Sequence, residues 1–212
     1  ESFPGLQSPE ALGTLVADRF RVPGLWPRAT GAATYRLRLR LGVARSDLAV
    51  LAVEQASASR LFVDGVLVAE GGRVAARAED SAPGYGKQSV VPLPAATEVT
   101  LVLQVSNHHS HEGDPMRGPR LGREDVLHRE LVRVETLDAV LFGAFLVLCL
   151  YHLALFALRP RERSFVVFAG LCLVVGLRAG LEGSGSRFLL HLLPFPPGLL
   201  PGTMVLLLSL VV

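Results

Sequence analysis

TLDAVLFGAFLVLCLYHLALFAL, residues 136–158, decides how the rest of the chain is read. It is about 23 residues long, and at ~1.5 Å of rise per residue such a helix crosses a hydrocarbon core of ~30 Å. Its only formal charge, Asp138, stands near its start. What precedes it is polar, turn-rich and patterned as strands, so the solvent changes partway along the chain. Apolar residues make up 50% of the 212 and the mean hydropathy is +0.41, an excess that falls in the last third. One soluble domain of ordinary size followed by a membrane portion accounts for both.

Directly after this stretch come Arg159, Arg161 and Arg163. On its other side Arg123, Arg129 and Arg133 are outweighed by Glu124, Asp125, Glu130, Glu135 and Asp138. Lys and Arg close to a span mark its cytoplasmic side. Residues 159–163 are therefore expected inside and the N-terminal domain outside, in the periplasm, on a multi-pass protein of the inner membrane. Residues 164–181 return as a second span with Arg178 in its last turn, placed to snorkel to the interface. A third span begins at 202 and is cut at 212. Residues 1–5 carry neither a positive n-region nor an apolar h-region, so the sequence reads as an internal piece of a longer protein. His152, within the first span, is either a proton-linked interhelical site or, more simply, a histidine facing the bundle. Cys149 and Cys172 are the only cysteines and both fall in apolar spans, where they read as packing residues.

Residues 1–122 read as all-β. In 34–41, TYRLRLRL, Tyr35, Leu37, Leu39 and Leu41 alternate with Arg36, Arg38 and Arg40, the period of a half-buried antiparallel strand. The arginines form either an anion-binding stripe or, more simply, a solvated sheet face. Residues 48–54 make another strand, and 60–63 and 66–69 flank Asp64-Gly65, a pair suited to the positive-φ positions of a type I′ turn. Residues 89–93 and 98–106 complete a set of at least six strands separated by Gly, Pro, Ser and Asp turns, the spacing of a sandwich or jelly roll. Helical character is confined to 9–18 and to 123–135, a juxtamembrane helix running into the first span as one rod.

The densest polar cluster is Ser106-Asn107-His108-His109-Ser110-His111-Glu112-Gly113-Asp114. Its histidines and carboxylates are transition-metal donors, yet His108 and His109, as neighbours, tend to point apart, and no matching cluster occurs elsewhere. A polar segment lining a ligand site is the better account, with no metal or other cofactor expected. Trp26, after Val22-Pro23-Gly24-Leu25, and Tyr85, in Pro83-Gly84-Tyr85-Gly86, are aromatics on which a sugar ring can stack; packing is the plain alternative for Trp26. The candidate ligand set is thus Trp26, Tyr85, Asn107, His108, His109, His111 and Glu112. Among Asp64, Glu70, Asp80, Glu112 and Asp114 no motif singles out an acid and a base. GxSxG, P-loop, HExxH and strand-to-helix GxGxxG patterns are missing, so catalysis is not supported in this stretch. A net charge of +2 without a basic, aromatic-laced stripe argues against nucleic acid as a partner.

An ordered series of motifs carries a resemblance. It comprises Ala33-Thr34-Tyr35-Arg36-Leu37, Leu61-Phe62-Val63-Asp64-Gly65, Glu70-Gly71-Gly72-Arg73-Val74 and Leu103-Gln104-Val105-Ser106-Asn107. Leu121-Gly122 then leads into the 123–135 helix, and Gly143 precedes Leu150-Tyr151-His152-Leu153-Ala154-Leu155-Phe156. In this the chain resembles the bacterial seven-transmembrane receptors with diverse intracellular signalling modules (7TMR-DISM). The hairpin and residues 22–26 are also similar to the galactose-binding-like domain at the front of some β-glycosidases; Asp64 stands where asparagine is usual, a swap the turn tolerates. The resemblance implies a jelly roll outside the membrane that binds carbohydrate or another small ligand. It further implies a seven-helix bundle, here truncated, in the lipid bilayer, and a cytoplasmic output domain of the same chain such as a histidine kinase, a cyclic-nucleotide or cyclic-di-GMP enzyme, or a phosphatase. A homodimer stays open. Two rivals stay open as well: the sugar-binding ancillary domain of a membrane-anchored glycoside hydrolase, and the accessory domain of a transporter, which would need paired polar or broken helices in its spans.

Overall fold

The computed structural model describes residues 1–18, 24–25, 31–52, 58–82, 88–108, 115–116 and 119–182. The chain divides into two compact units, Glu1–Arg129 and Glu130–Val212. The first is built on strands β1 (Ser2–Pro4), β2 (Gly24–Leu25), β3 (Gly31–Arg40), β4 (Leu48–Ala52), β5 (Ala58–Val63), β6 (Val66–Gly71), β7 (Ser89–Pro92), β8 (Glu98–Asn107), β9 (Pro115–Met116) and β10 (Arg120–Arg123). Helices α1 (Glu124–Leu158) and α2 (Ser164–Glu182) follow. A five-stranded antiparallel sheet runs in the order β1-β3-β8-β5-β6, a three-stranded one in the order β10-β4-β7, and β2 pairs with β9.

The alternation in β3 and β8 sets the two faces of the larger sheet. Tyr35, Leu37 and Leu39 pair with Leu103, Leu101 and Val99 across the ladder and share the inward face. That face meets Val50 of β4 and Val91 of β7 in one core with Leu61, Val63, Leu93, Val99 and Leu101. Burying each such side chain contributes roughly 1.5–3 kcal/mol. Desolvation in this interior pushes the Tyr35 hydroxyl up to about 12. With β7 beside β6, the β10 edge falls on the β3 side. There the smaller sheet runs out, and the inward-facing Leu37 and Leu121 are left 48% and 44% exposed.

The opposite face of the larger sheet was expected to be solvated, and at Arg36 it is not. Phe3 and Leu12 pack there on Val102, with Ala17 and Phe62 around them. Arg36 lies under this cover: its Nη1 donates to the Leu12 carbonyl at 2.8 Å, and its guanidinium stands 5.1 Å from the Phe3 ring centroid. Only Arg38 and Arg40 face water. The cover also replaces the helix expected over 9–18, of which one 3-10 turn, Ala11–Gly13, forms. Chain sterics explain the change, because Asp18 must return to bridge Ser2.

The two ends of this sandwich differ. At one end are the Asp64-Gly65 turn and the short connections 41–47 and 93–97, and α1 begins there, its Glu124 N–H donating to the Asp47 carbonyl at 2.9 Å. Asp64 at φ 48° and Gly65 at φ 83° form the left-handed pair a type I′ turn requires. Asp64 Oδ1 accepts from the Thr100 N–H at 2.7 Å, extending the ladder past the last strand residue. At the other end lie the start of β3, the end of β8 and the start of β5, joined by the pairs Gly31–Asn107 and Ala58–Ser106. The connections 53–57, 72–88 and 108–119 leave from that end, and the last two are long.

In the second unit, α1 is long and apolar enough to cross a membrane, and it includes the expected 136–158 stretch; α2 is apolar and shorter. Pro160, which cannot donate a backbone hydrogen bond, follows the end of α1, and Arg159, Arg161 and Arg163 are all exposed in the turn to α2. The expected third span at 202–212 lies outside the described residues.

Candidate functional site

Three candidate groups found in the sequence belong to connections at the long-connection end. Trp26 lies between β2 and β3, Tyr85 between β6 and β7, and the 107–112 cluster between β8 and β9. Trp26, Tyr85, His109, His111 and Glu112 themselves lie outside the described residues. What flanks them is described. Leu25, just before Trp26, pairs with Pro115, and Gly24 pairs with Met116. This backbone pairing ties the segment carrying the indole to the segment carrying the histidines, although about 90 residues separate them in sequence.

Around this end the sheet is braced by neutral side chains. Thr34, fully buried, donates through Oγ1 to the Gly5 carbonyl at 2.9 Å and accepts from the Gln7 N–H at 3.0 Å. Gln104 Nε2 donates to the Gln7 carbonyl at 2.9 Å. Ser106, also fully buried, contacts Ser81 Oγ at 3.2 Å and accepts from the Ala75 N–H, while Ser81 bonds the Arg73 carbonyl. Threonine, glutamine and serine thus hold two chain segments, 5–7 and 73–82, against the ends of β3 and β8. In the sequence Thr34 and Gln104 read only as strand positions, Ser106 opened the polar cluster, and Ser81 was not singled out. Their polarity on a face otherwise covered by apolar side chains was the available signal.

Two of the predicted ligand residues are described. Asn107 is 5% exposed at the last rung of β8, opposite Gly31, whose φ of 127° is open to glycine. His108 Nε2 lies 3.1 Å from the Ala75 carbonyl and donates to it. His108 therefore helps fix the 73–82 segment. Among the described residues no three His, Cys, Asp or Glu side chains come together as metal donors.

The helices of the second unit pack through small residues. Cys149, Ala169 and Cys172 form one buried cluster with Phe145, so the cysteines are packing groups on facing helices. A Cβ on Gly176 would fall 3.1 Å from Phe145 Cβ and 3.7 Å from the Phe142 carbonyl. Glycine in a helix costs about 1 kcal/mol against alanine, and here it allows this close approach. His152 faces α2, its ring 4.5 Å from that of Phe168, and its Nδ1 donates to the Leu148 carbonyl at 2.8 Å. Glu135 and Asp138, one turn apart on α1, each keep a buried carboxylate oxygen with no hydrogen-bond partner. The sequence showed Asp138 only as a charge at the head of the span.

Residues 135–212 match the model of the family described as 7TM diverse intracellular signalling, 7TMR-DISM. In this part the chain is similar to that family. No curated protein and no solved structure matches the chain. The 7TMR-DISM family is one of membrane signalling receptors. The 7TMR-DISM match begins within α1, at the turn that holds Glu135 and Asp138.

Proposed function

We propose that this chain is the sensor portion of a bacterial 7TMR-DISM receptor. Its N-terminal sandwich is a jelly roll of the galactose-binding type, held in the periplasm. The helices open a multi-pass bundle in the inner membrane that drives a cytoplasmic output domain of the same chain. The exposed Arg159, Arg161 and Arg163 support this orientation. The ligand is a small neutral polar molecule, a carbohydrate first, taken at the long-connection end through Trp26, Tyr85, Asn107 and the histidine segment. The observation that carries the site is the β2–β9 pairing, which ties the Trp26 segment to the histidine segment.

The test is thermal unfolding of the protein in lipid nanodiscs against mono- and oligosaccharides, amino acids and divalent cations. A ligand at ~100 times its dissociation constant adds ~2.7 kcal/mol, a shift of several degrees. A saccharide that stabilises the wild type and fails to stabilise Trp26→Ala is the expected result. Silence of all saccharides sinks the carbohydrate assignment. A phosphatase fused at Arg161 and active in the periplasm sinks the orientation.

A further inference from the structure

Strand β10 passes into α1 without a linker, since Arg123 ends one and Glu124 begins the other. Among the described residues β10 is an edge strand, paired on one side only, with β4. Its residue Gly122 pairs with Ala49, which is fully buried. Leu127, in the first turns of α1, is 3% exposed, and its Cγ lies 3.1 Å from where a Cβ on Gly122 would stand. The helix start is therefore seated on the strand that leads into it, and a Cβ at Gly122 would push Leu127 back by a few tenths of an ångström. The 41–47 connection closes the joint. Asp47 gives its carbonyl to the Glu124 N–H, and its carboxylate holds Arg45 at 2.6 Å and Arg123 at 3.7 Å. The Arg45 hydrogen bond keeps the Asp47 carboxyl below the usual carboxylate range, so this clamp is charged at neutral pH.

We infer that the β10–α1 joint, made by Gly122, Leu127 and the Asp47 clamp, is the element through which the N-terminal sandwich sets the position of α1. The inference rests on the sensor reading and deepens it. An edge strand bonded on one side is the part of a sheet that shifts at least cost, and here it carries the helix directly. A loop in this place would absorb a small displacement; a seated helix turn passes it on. A switch requires two discrete arrangements, and on this inference they are Leu127 seated against Gly122, as in the structure, and Leu127 displaced from it.

The chain carries its own reporter. Cys149 and Cys172 sit in one cluster on facing helices, about six turns beyond Leu127 on α1. In the full-length protein in membranes, copper-phenanthroline cross-linking of this pair is followed as loss of maleimide-reactive thiol. Gly122→Ala, which forces Leu127 to move, and Leu127→Ala, which empties the seat, are each expected to change the rate by about fivefold or more, the low end of ordinary coupling. Val105→Ala, a core loss towards the opposite end of the sandwich, should leave the rate at the wild-type value. Two glycines inserted between Leu131 and Val132 should cancel the Gly122→Ala effect. Should Gly122→Ala fail to fold, Asp47→Ala, on the exposed clamp, gives the same readout. Unchanged rates in folded Leu127→Ala and Asp47→Ala overturn the inference. Altered rates alongside a silent saccharide panel would leave the joint standing and remove only the ligand assignment.

Discussion

Asp64 allows backbone strain and a side-chain hydrogen bond to be separated at one position. It holds φ 48° at the first place of the turn, and its carboxylate accepts from the Thr100 N–H at 2.7 Å. Alanine loses both contributions. The left-handed conformation costs it roughly 1–2 kcal/mol, and the lost hydrogen bond, solvent-exposed, about 1 kcal/mol more. Glycine adopts the conformation freely and loses only the bond, about 1 kcal/mol. Asparagine tolerates the conformation and keeps an uncharged acceptor, so it costs about 0.5 kcal/mol. At about 4 °C per kcal/mol for a domain of this size, the expected losses in Tm are ~8–12 °C for Asp64→Ala, ~4 °C for Asp64→Gly and ~2 °C for Asp64→Asn. The emission of Trp26, the only tryptophan, reports the unfolding. If alanine proves no worse than glycine, the conformational cost is not felt. If glycine matches the wild type, the bond to Thr100 contributes nothing.

Thr34→Val, nearly isosteric, strands the Gly5 carbonyl and the Gln7 N–H beneath the N-terminal cover and should cost about 2–4 kcal/mol in the same unfolding assay. Tyr35, raised to about 12 by burial, is neutral in the folded chain where an unfolded tyrosine would already ionise. Its contribution is therefore complete below pH 10 and lost as the pH climbs towards 12. Absorbance titration near 295 nm should show a high-pH phase that Tyr35→Phe removes. Gly176→Val drives a branched side chain into Phe145 and should cut Cys149–Cys172 cross-linking severalfold; an unchanged rate would mean that the helices do not approach there as closely as the structure has it.

Much of the sandwich was legible because period-two patterning is a direct image of a two-faced strand. The runs around Leu37 and Val102 extend by only a few residues in the structure, as β3 and β8. The Asp64-Gly65 turn was legible for a local reason, since few residues accept φ > 0. Arg36 was misread because its burial comes from residues 1–18 folding back over the sheet, a non-local event that alternation cannot signal. β10 was missed because four residues, Arg120–Arg123, carry no period, and its pairing with β4 spans some 70 positions. Of the candidate site, the residue types were legible and the pairing beside them was not. Composition singled out Trp26 and the histidine cluster, whereas the β2–β9 pairing that connects their segments rests on four residues without strand character. The bracing by Thr34, Gln104, Ser81 and Ser106 depends on which carbonyls arrive opposite them, and no single-chain pattern encodes that.

The unequal ends of the sandwich divide what can vary from what cannot. At the end with long connections, residues can be inserted, deleted or exchanged while the ladder from Gly31–Asn107 to Arg40–Glu98 stays as it is. At the other end, removing one residue from 41–47 would draw Asp47 away from Glu124 and Arg123 together. If the proposed sensor reading holds, ligand specificity is free to drift in evolution, or to be grafted by an engineer, at one pole, while the pole that carries Asp47, Gly122 and Leu127 stays constant.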